Sequence, residues 1–85
     1  MYFIYLVKCS DNTLYCGIAK DLPKRLSEHN GAAKGGAKYT KSRRPVELVY
    51  KEEAKNLSEA LKREIAIKKL TRKEKEDLFA FVIRS

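Results

Sequence analysis

The stretch that decides the fold runs from residue 2 to residue 18: Tyr2-Phe3-Ile4-Tyr5-Leu6-Val7, then Lys8-Cys9, the polar cluster Ser10-Asp11-Asn12, and Thr13-Leu14-Tyr15-Cys16-Gly17-Ile18. The first run is aromatic or aliphatic at every position, so both of its alternating faces are apolar. That pattern reads as a central strand buried on both sides. Short polar side chains satisfy turn backbone and tolerate left-handed geometry, so residues 10–12 read as a turn. The second run is then the partner strand of a hairpin. A three-residue turn fixes the register, with Cys9 opposite Thr13, Val7 opposite Tyr15 and Tyr5 opposite Gly17. Side chains alternate, so Tyr5, Val7, Tyr15 and Gly17 share one face, with the two tyrosines as diagonal neighbours. Gly17, having no side chain, leaves open space opposite Tyr5 where a ligand can approach. Cys9 and Cys16 fall on opposite faces, which argues against a bond between them.

Working outward, Asp21 caps a helix that runs to about Asn30, with Pro23 in its first turn and Gly31 as its stop. Residues 31–45 carry three Gly, one Pro, five Lys or Arg and no acid, and read as an exposed basic loop. Val46-Glu47-Leu48-Val49-Tyr50 reads as a third strand with 46, 48 and 50 on the more apolar face. Asn56 with Glu59, and Thr71 with Glu74, form capping-box patterns that predict helices near 57–70 and 72–83. The expected architecture is therefore α+β, a three-stranded antiparallel sheet flanked by three helices in the order β-β-α-β-α-α, in one domain spanning residues 1–85.

Charge narrows the function. Nineteen Lys and Arg against eleven Asp and Glu leave a net charge of +8 on 85 residues. Such an excess attracts polyanions, above all nucleic acid; a ribosome-associated or membrane-surface protein is the blander reading. The six-residue opening run is far too short to span a bilayer, which needs about 20 apolar residues. Two thiols without a CxxC pair suggest neither a disulfide framework nor a metal cluster, so a reduced, cytoplasmic location is expected.

Three features carry candidate chemistry. The tyrosine pair Tyr5 and Tyr15 is the first, although tyrosine in a strand is also ordinary packing. The second is Arg25 with His29, four residues apart on one helical face beside Leu22 and Leu26. A guanidinium forks onto phosphate oxygens, and an imidazole exchanges protons near neutral pH. The third is Glu64, which falls within the apolar stripe Leu57, Ala60, Leu61, Ile65 and Ile67. A carboxylate placed there needs a partner. Either Lys68 supplies it, four residues on, or a hard cation does, since one carboxylate plus phosphate and water suits Mg²⁺. Together these groups match what phosphodiester hydrolysis requires: water activation, phosphate neutralisation and leaving-oxygen stabilisation.

Phe3-Ile4-Tyr5, Tyr15-Cys16-Gly17, Arg25 and His29 within residues 23–29, Glu64, and the stretches Ala37-Lys38-Tyr39-Thr40 and Arg43-Arg44-Pro45-Val46-Glu47-Leu48-Val49-Tyr50 resemble the GIY-YIG nuclease domain, most of all its small stand-alone uncharacterised bacterial members. Phe3 stands where the first motif has glycine, and Cys16 where the second has isoleucine. Ile18 stands where some family enzymes carry a lysine, and no asparagine follows Glu64. The resemblance implies a metal-dependent DNA endonuclease, in DNA repair or the processing of structured DNA, using one Mg²⁺ or Mn²⁺ ion. Under it, Glu64 holds the metal, Arg25 binds the scissile phosphate, Tyr15 or Tyr5 activates water, His29 orients or relays, and Gly17 is structural in the motif. Family nucleases carry an extra domain for DNA specificity, which assigns that role here to a partner protein. The alternative is a nucleic-acid-binding module without effective catalysis. In that reading the basic loop residues Lys34, Lys38, Lys41, Arg43 and Arg44 contact phosphates.

Overall fold

A computed structural model describes residues 1–31 and 43–84, with side chains through residue 80. Its elements are β1 (Tyr2–Lys8), β2 (Leu14–Ala19), α1 (Leu22–His29), β3 (Glu47–Ala54), α2 (Leu57–Lys68) and α3 (Arg72–Arg84). The strands form one antiparallel sheet in the order β2-β1-β3, the β-β-α-β-α-α arrangement expected from the sequence. β1 is central, and Ile4, Tyr5, Leu6 and Val7 are all buried. Burying side chains of this size contributes roughly 1.5–3 kcal/mol each, so this strand anchors the fold.

The turn sets the hairpin register as its chemistry requires. The Cys9 N–H donates to the Thr13 carbonyl at 2.8 Å and the Asn12 N–H donates to the Cys9 carbonyl at 2.9 Å. Asn12 adopts φ 70°, a left-handed geometry that its short amide side chain tolerates. Tyr5 consequently pairs with Gly17 and Val7 with Tyr15. Both cysteines are free and buried, Cys9 against one sheet face and Cys16 against the other.

Each face carries its own core. Ile4, Leu6 and Cys16 pack with Ala60 and Ile67 of α2 and with Leu78 and Phe79 of α3. Tyr5, Val7 and Cys9 pack on the opposite face with Leu22 and Leu26 of α1. The helices begin where their caps dictate. The Asp21 carboxylate accepts the Lys24 N–H at 3.1 Å, and the Asn56 side chain accepts the Glu59 N–H at 2.9 Å. Thr71 and Glu74 exchange both bonds of a capping box.

Two expectations are corrected. Val46, Leu48 and Tyr50 do not share a face. The ladder slips between Leu6, paired with Tyr50, and Val7, paired with Leu48, which leaves Val49 as an extra residue. A bulge of this kind puts two residues opposite one and shifts the alternation. Val46 and Leu48 therefore face α1, whereas Val49 and Tyr50 face α2 and α3. The apolar stripe of α2 is also narrower than its periodicity suggests. Ala60 and Ile67 are fully buried, but Leu57, Leu61 and Ile65 are 46%, 44% and 54% exposed.

Candidate active site across the edge strand

β2 is an edge strand with α1 on one side of it and α2 on the other, and the candidate residues meet over that edge. Tyr2, Tyr5, Tyr15, Gly17, Arg25 and Glu64 line a cleft of about 430 Å³, with Leu57 and Leu61 on its α2 wall and Lys20 at its end. The sequence-derived site residues Tyr5, Tyr15, Arg25 and Glu64 are thus brought together from four elements. His29 stands behind them, fully buried, in contact with both tyrosines.

Gly17 is needed for a different reason from the one expected. The space opposite Tyr5 is not left open for a ligand, because the Tyr5 ring itself occupies it. A Cβ on residue 17 would lie 2.5 Å from Tyr5 Oη and 2.6 Å from its Cζ. Glycine lets the phenol cross the edge strand and deliver its oxygen to the cleft.

A hydrogen-bonded chain then holds the α1 wall in place. Tyr5 Oη lies 2.7 Å from His29 Nε2, and the Arg25 guanidinium is close enough to the same phenol to act on it electrostatically. Arg25 NH1 in turn donates to Glu28 Oε1 at 3.0 Å. Burial pushes the Tyr5 phenol up to about 12, against the opposing pull of Arg25, so it stays protonated. Burial first, and the Arg25 cation second, lower the His29 pKa and favour the neutral ring. Burial alone would lower the Arg25 pKa, but its bonds to Glu28 and Tyr5 outweigh that and raise it. His29 also meets both phenol rings edge-on, with centroids 5.8 Å from Tyr5 and 5.5 Å from Tyr15. Such contacts are favourable pairings of ring edge and ring face.

The α2 wall is looser. Glu64 is 18% exposed, and Lys68 Nζ lies 3.5 Å from its Oε2. The lysine partner anticipated from the sequence is therefore present, and the carboxylate still lines the cleft. No group of three His, Cys, Asp or Glu side chains able to hold a metal occurs among the described residues. A single hard carboxylate facing an anion-binding arginine fits a cation that keeps most of its ligands as water and phosphate oxygen. A larger depression, about 540 Å³, lies beyond β3 among Glu52, Glu53, Glu59 and Arg63. It carries neither a tyrosine nor a histidine, and its acids would repel a polyanion.

The residues expected to contact nucleic acid fall in three groups. Lys34, Lys38 and Lys41 lie outside the described residues. Arg43 donates to Asp11 Oδ2 at 3.0 Å, fastening the segment before β3 to the hairpin turn. Arg44 donates to the carbonyls of His29 and Glu28 at 2.6 and 3.4 Å, closing the C-terminal end of α1. Gly31 makes room for it: its φ is +82°, and a Cβ there would lie 2.8 Å from Arg44 NH1. Asn30 completes this join by exchanging two hydrogen bonds with the Val46 backbone. Two cations escaped the sequence reading. Lys20 and Lys24 line a depression continuous with the cleft, and their position either side of the helix cap Asp21 was the available signal.

The comparison with protein families decides what this constellation belongs to: the family described as the GIY-YIG catalytic domain matches residues 1–77. The chain belongs to the GIY-YIG family. A GIY-YIG domain places it in a nuclease superfamily, for which DNA is the implied substrate and a divalent metal the general requirement. The GIY-YIG chain is similar to UPF0213 protein DP2720 of Desulfotalea psychrophila, 53% identical over 77 residues that cover 91% of this chain and 69% of the relative. It is 57% identical over 74 residues to UPF0213 protein SERP0126 of Staphylococcus epidermidis, covering 87% and 88% of the two chains. The solution NMR structure of protein EF2693 from E. faecalis superposes with a TM-score of 0.63 at 35% identity, covering 99% of this chain and 88% of that one. No helix among the described residues is long and apolar enough to cross a membrane.

Proposed function

We propose that this GIY-YIG protein is a metal-dependent DNA endonuclease that hydrolyses phosphodiester bonds in structured or damaged DNA, as in repair. The observation that carries this reading is the convergence of Tyr5, Tyr15, Arg25 and Glu64 on one cleft over β2. In this scheme Arg25, oriented by Glu28, binds the scissile phosphate. Tyr15 takes the proton from the attacking water. Tyr5 is unsuited to that task because its phenol is pushed up to about 12 and is engaged with Arg25 and His29. His29, neutral and buried, orients the tyrosines from behind. Glu64 would hold a single Mg²⁺ or Mn²⁺ ion, which supplies Lewis-acid stabilisation of the phosphate and leaving oxygen. A partner protein would add specificity.

The second reading, a nucleic-acid-binding module without turnover, draws on the Lys68 ammonium that already neutralises Glu64. One assay separates the two. The protein is incubated with supercoiled, branched and single-stranded DNA, with Mg²⁺ or Mn²⁺ and with chelator, beside a Glu64→Ala variant. Metal-dependent cleavage lost in the variant is expected. Binding without cleavage of any substrate would leave only the second reading.

A further inference from the structure

The cleft does not stop at Arg25. The depression lined by Ile18, Ala19, Lys20 and Arg25 in common with it continues past Asp21 and Lys24, on the α1 side of β2. The two hollows form one groove that crosses the edge strand, and their ends differ in chemistry. At the α2 end stand Leu57 and Leu61, both large, apolar and half exposed. At the α1 end stands Lys24, with Asp21 and Glu28 beside it, while Lys20 lines both hollows. The Lys20 Nζ lies 5.2 Å from the centroid of Tyr2, a cleft residue that packs on the α2 face of the sheet. An ammonium over a phenol ring is attracted to the ring face yet keeps its outward N–H groups for another acceptor. The start of α1 offers little of its own, since the Lys24 N–H is taken by Asp21 and Pro23 has none. Attraction at this end must come from the side chains.

From this asymmetry we propose that Lys20 and Lys24 form a second phosphate subsite, which holds the backbone of the DNA strand on one side only of the phosphate bound by Arg25. The proposal rests on the nuclease reading above for the position of the scissile phosphate. The subsite gives the strand a direction in the groove: phosphates run towards α1, and the opposite flank passes the apolar α2 wall.

The test compares DNA binding of the wild-type chain, Lys20→Gln, Lys24→Gln, the double variant and Lys62→Gln over a salt series. Lys62 is exposed on α2 beside Glu59 and lines neither hollow, so it reports the loss of bulk charge alone. Each lost phosphate contact lowers the slope of log affinity against log salt by about 0.9 on duplex DNA, so the double variant should lose about 1.8. Lys62→Gln should change the slope far less. Oligonucleotides lacking phosphates on one flank should bind wild type more weakly but the double variant equally well, whereas trimming the other flank should not discriminate. Unchanged slopes in the lysine variants, or an equal loss in Lys62→Gln, would overturn the subsite. Binding with the expected slopes but no cleavage would instead remove the nuclease reading and leave the subsite standing. Absence of any DNA binding would remove both.

Discussion

The two walls of the cleft are built on opposite principles. The α1 wall is a closed chain of contacts, Glu28 to Arg25 to Tyr5 to His29, packed against buried Val7 and Leu22. The α2 wall presents one partly exposed carboxylate beside two half-exposed leucines, with Lys68 as its ion-pair partner. A rigid wall costs no reorganisation when a phosphate arrives, whereas an open carboxylate leaves room for a hydrated cation to enter with it. The difference teaches that stability and chemistry are separated here by helix. Changes in the α1 wall should disturb both, and changes in the α2 wall only the chemistry.

The sharpest break in that comparison lies between the two tyrosines. Tyr15→Phe should lower single-turnover cleavage by about 10²–10⁴-fold, the usual range for a lost general base, with a smaller shift in denaturation midpoint than a change at the more deeply buried Tyr5. Tyr5→Phe should instead destabilise by roughly 1–3 kcal/mol, because it strands the buried His29 nitrogen. Equal stability losses would merge the two roles. Next in size, Gly17→Ala should cost about 1–3 kcal/mol by forcing the Tyr5 ring aside, as urea denaturation would measure.

The pH dependence is smaller. His29 binds its proton less readily folded than unfolded, so the unfolded chain gains protons first as pH falls. The stability that follows from the neutral ring is complete above the unfolded value near 6.5 and is lost progressively below it, by at most about 1.4 kcal/mol per pH unit. Denaturation at pH 7.5 and 5.5 should show this fall in wild type and a shallower one in His29→Gln. Smallest of all, Arg43→Ala should cost about 0–1 kcal/mol, since its pair with Asp11 is largely solvent-screened.

Much of this was legible in the sequence because it is local. The turn at 10–12 fixes the pairing of Tyr5 with Gly17, and short polar caps at Asp21, Asn56 and Thr71 fix the helix starts. What was not legible depends on partners distant along the chain. The bulge at Val49 exists only against β1, so strict alternation mis-assigned Tyr50. Leu57, Leu61 and Ile65 repeat like core positions, yet α2 and α3 share one face of a three-stranded sheet, and the burial goes to Ala60 and Ile67. Arg44 reads as one more basic loop residue until the end of α1 is placed beside it. Of the five candidate site residues, Tyr5, Tyr15, Arg25 and Glu64 line one cleft, while His29 lies buried behind it. Burial distinguishes the two phenols that line it, Tyr5 being 1% exposed and Tyr15 only partly buried.

The central claim, that Glu64 brings a divalent ion to a cleft built over β2, is tested most directly by paramagnetic relaxation in an NMR titration with Mn²⁺. Broadening should centre on Glu64 and residues 15–20 of β2 and its end, and should vanish in Glu64→Gln while the Tyr5 and His29 signals of the variant stay in place. Broadening centred instead on the acidic depression of Glu52, Glu53 and Glu59, or persisting around β2 in the variant, would contradict it.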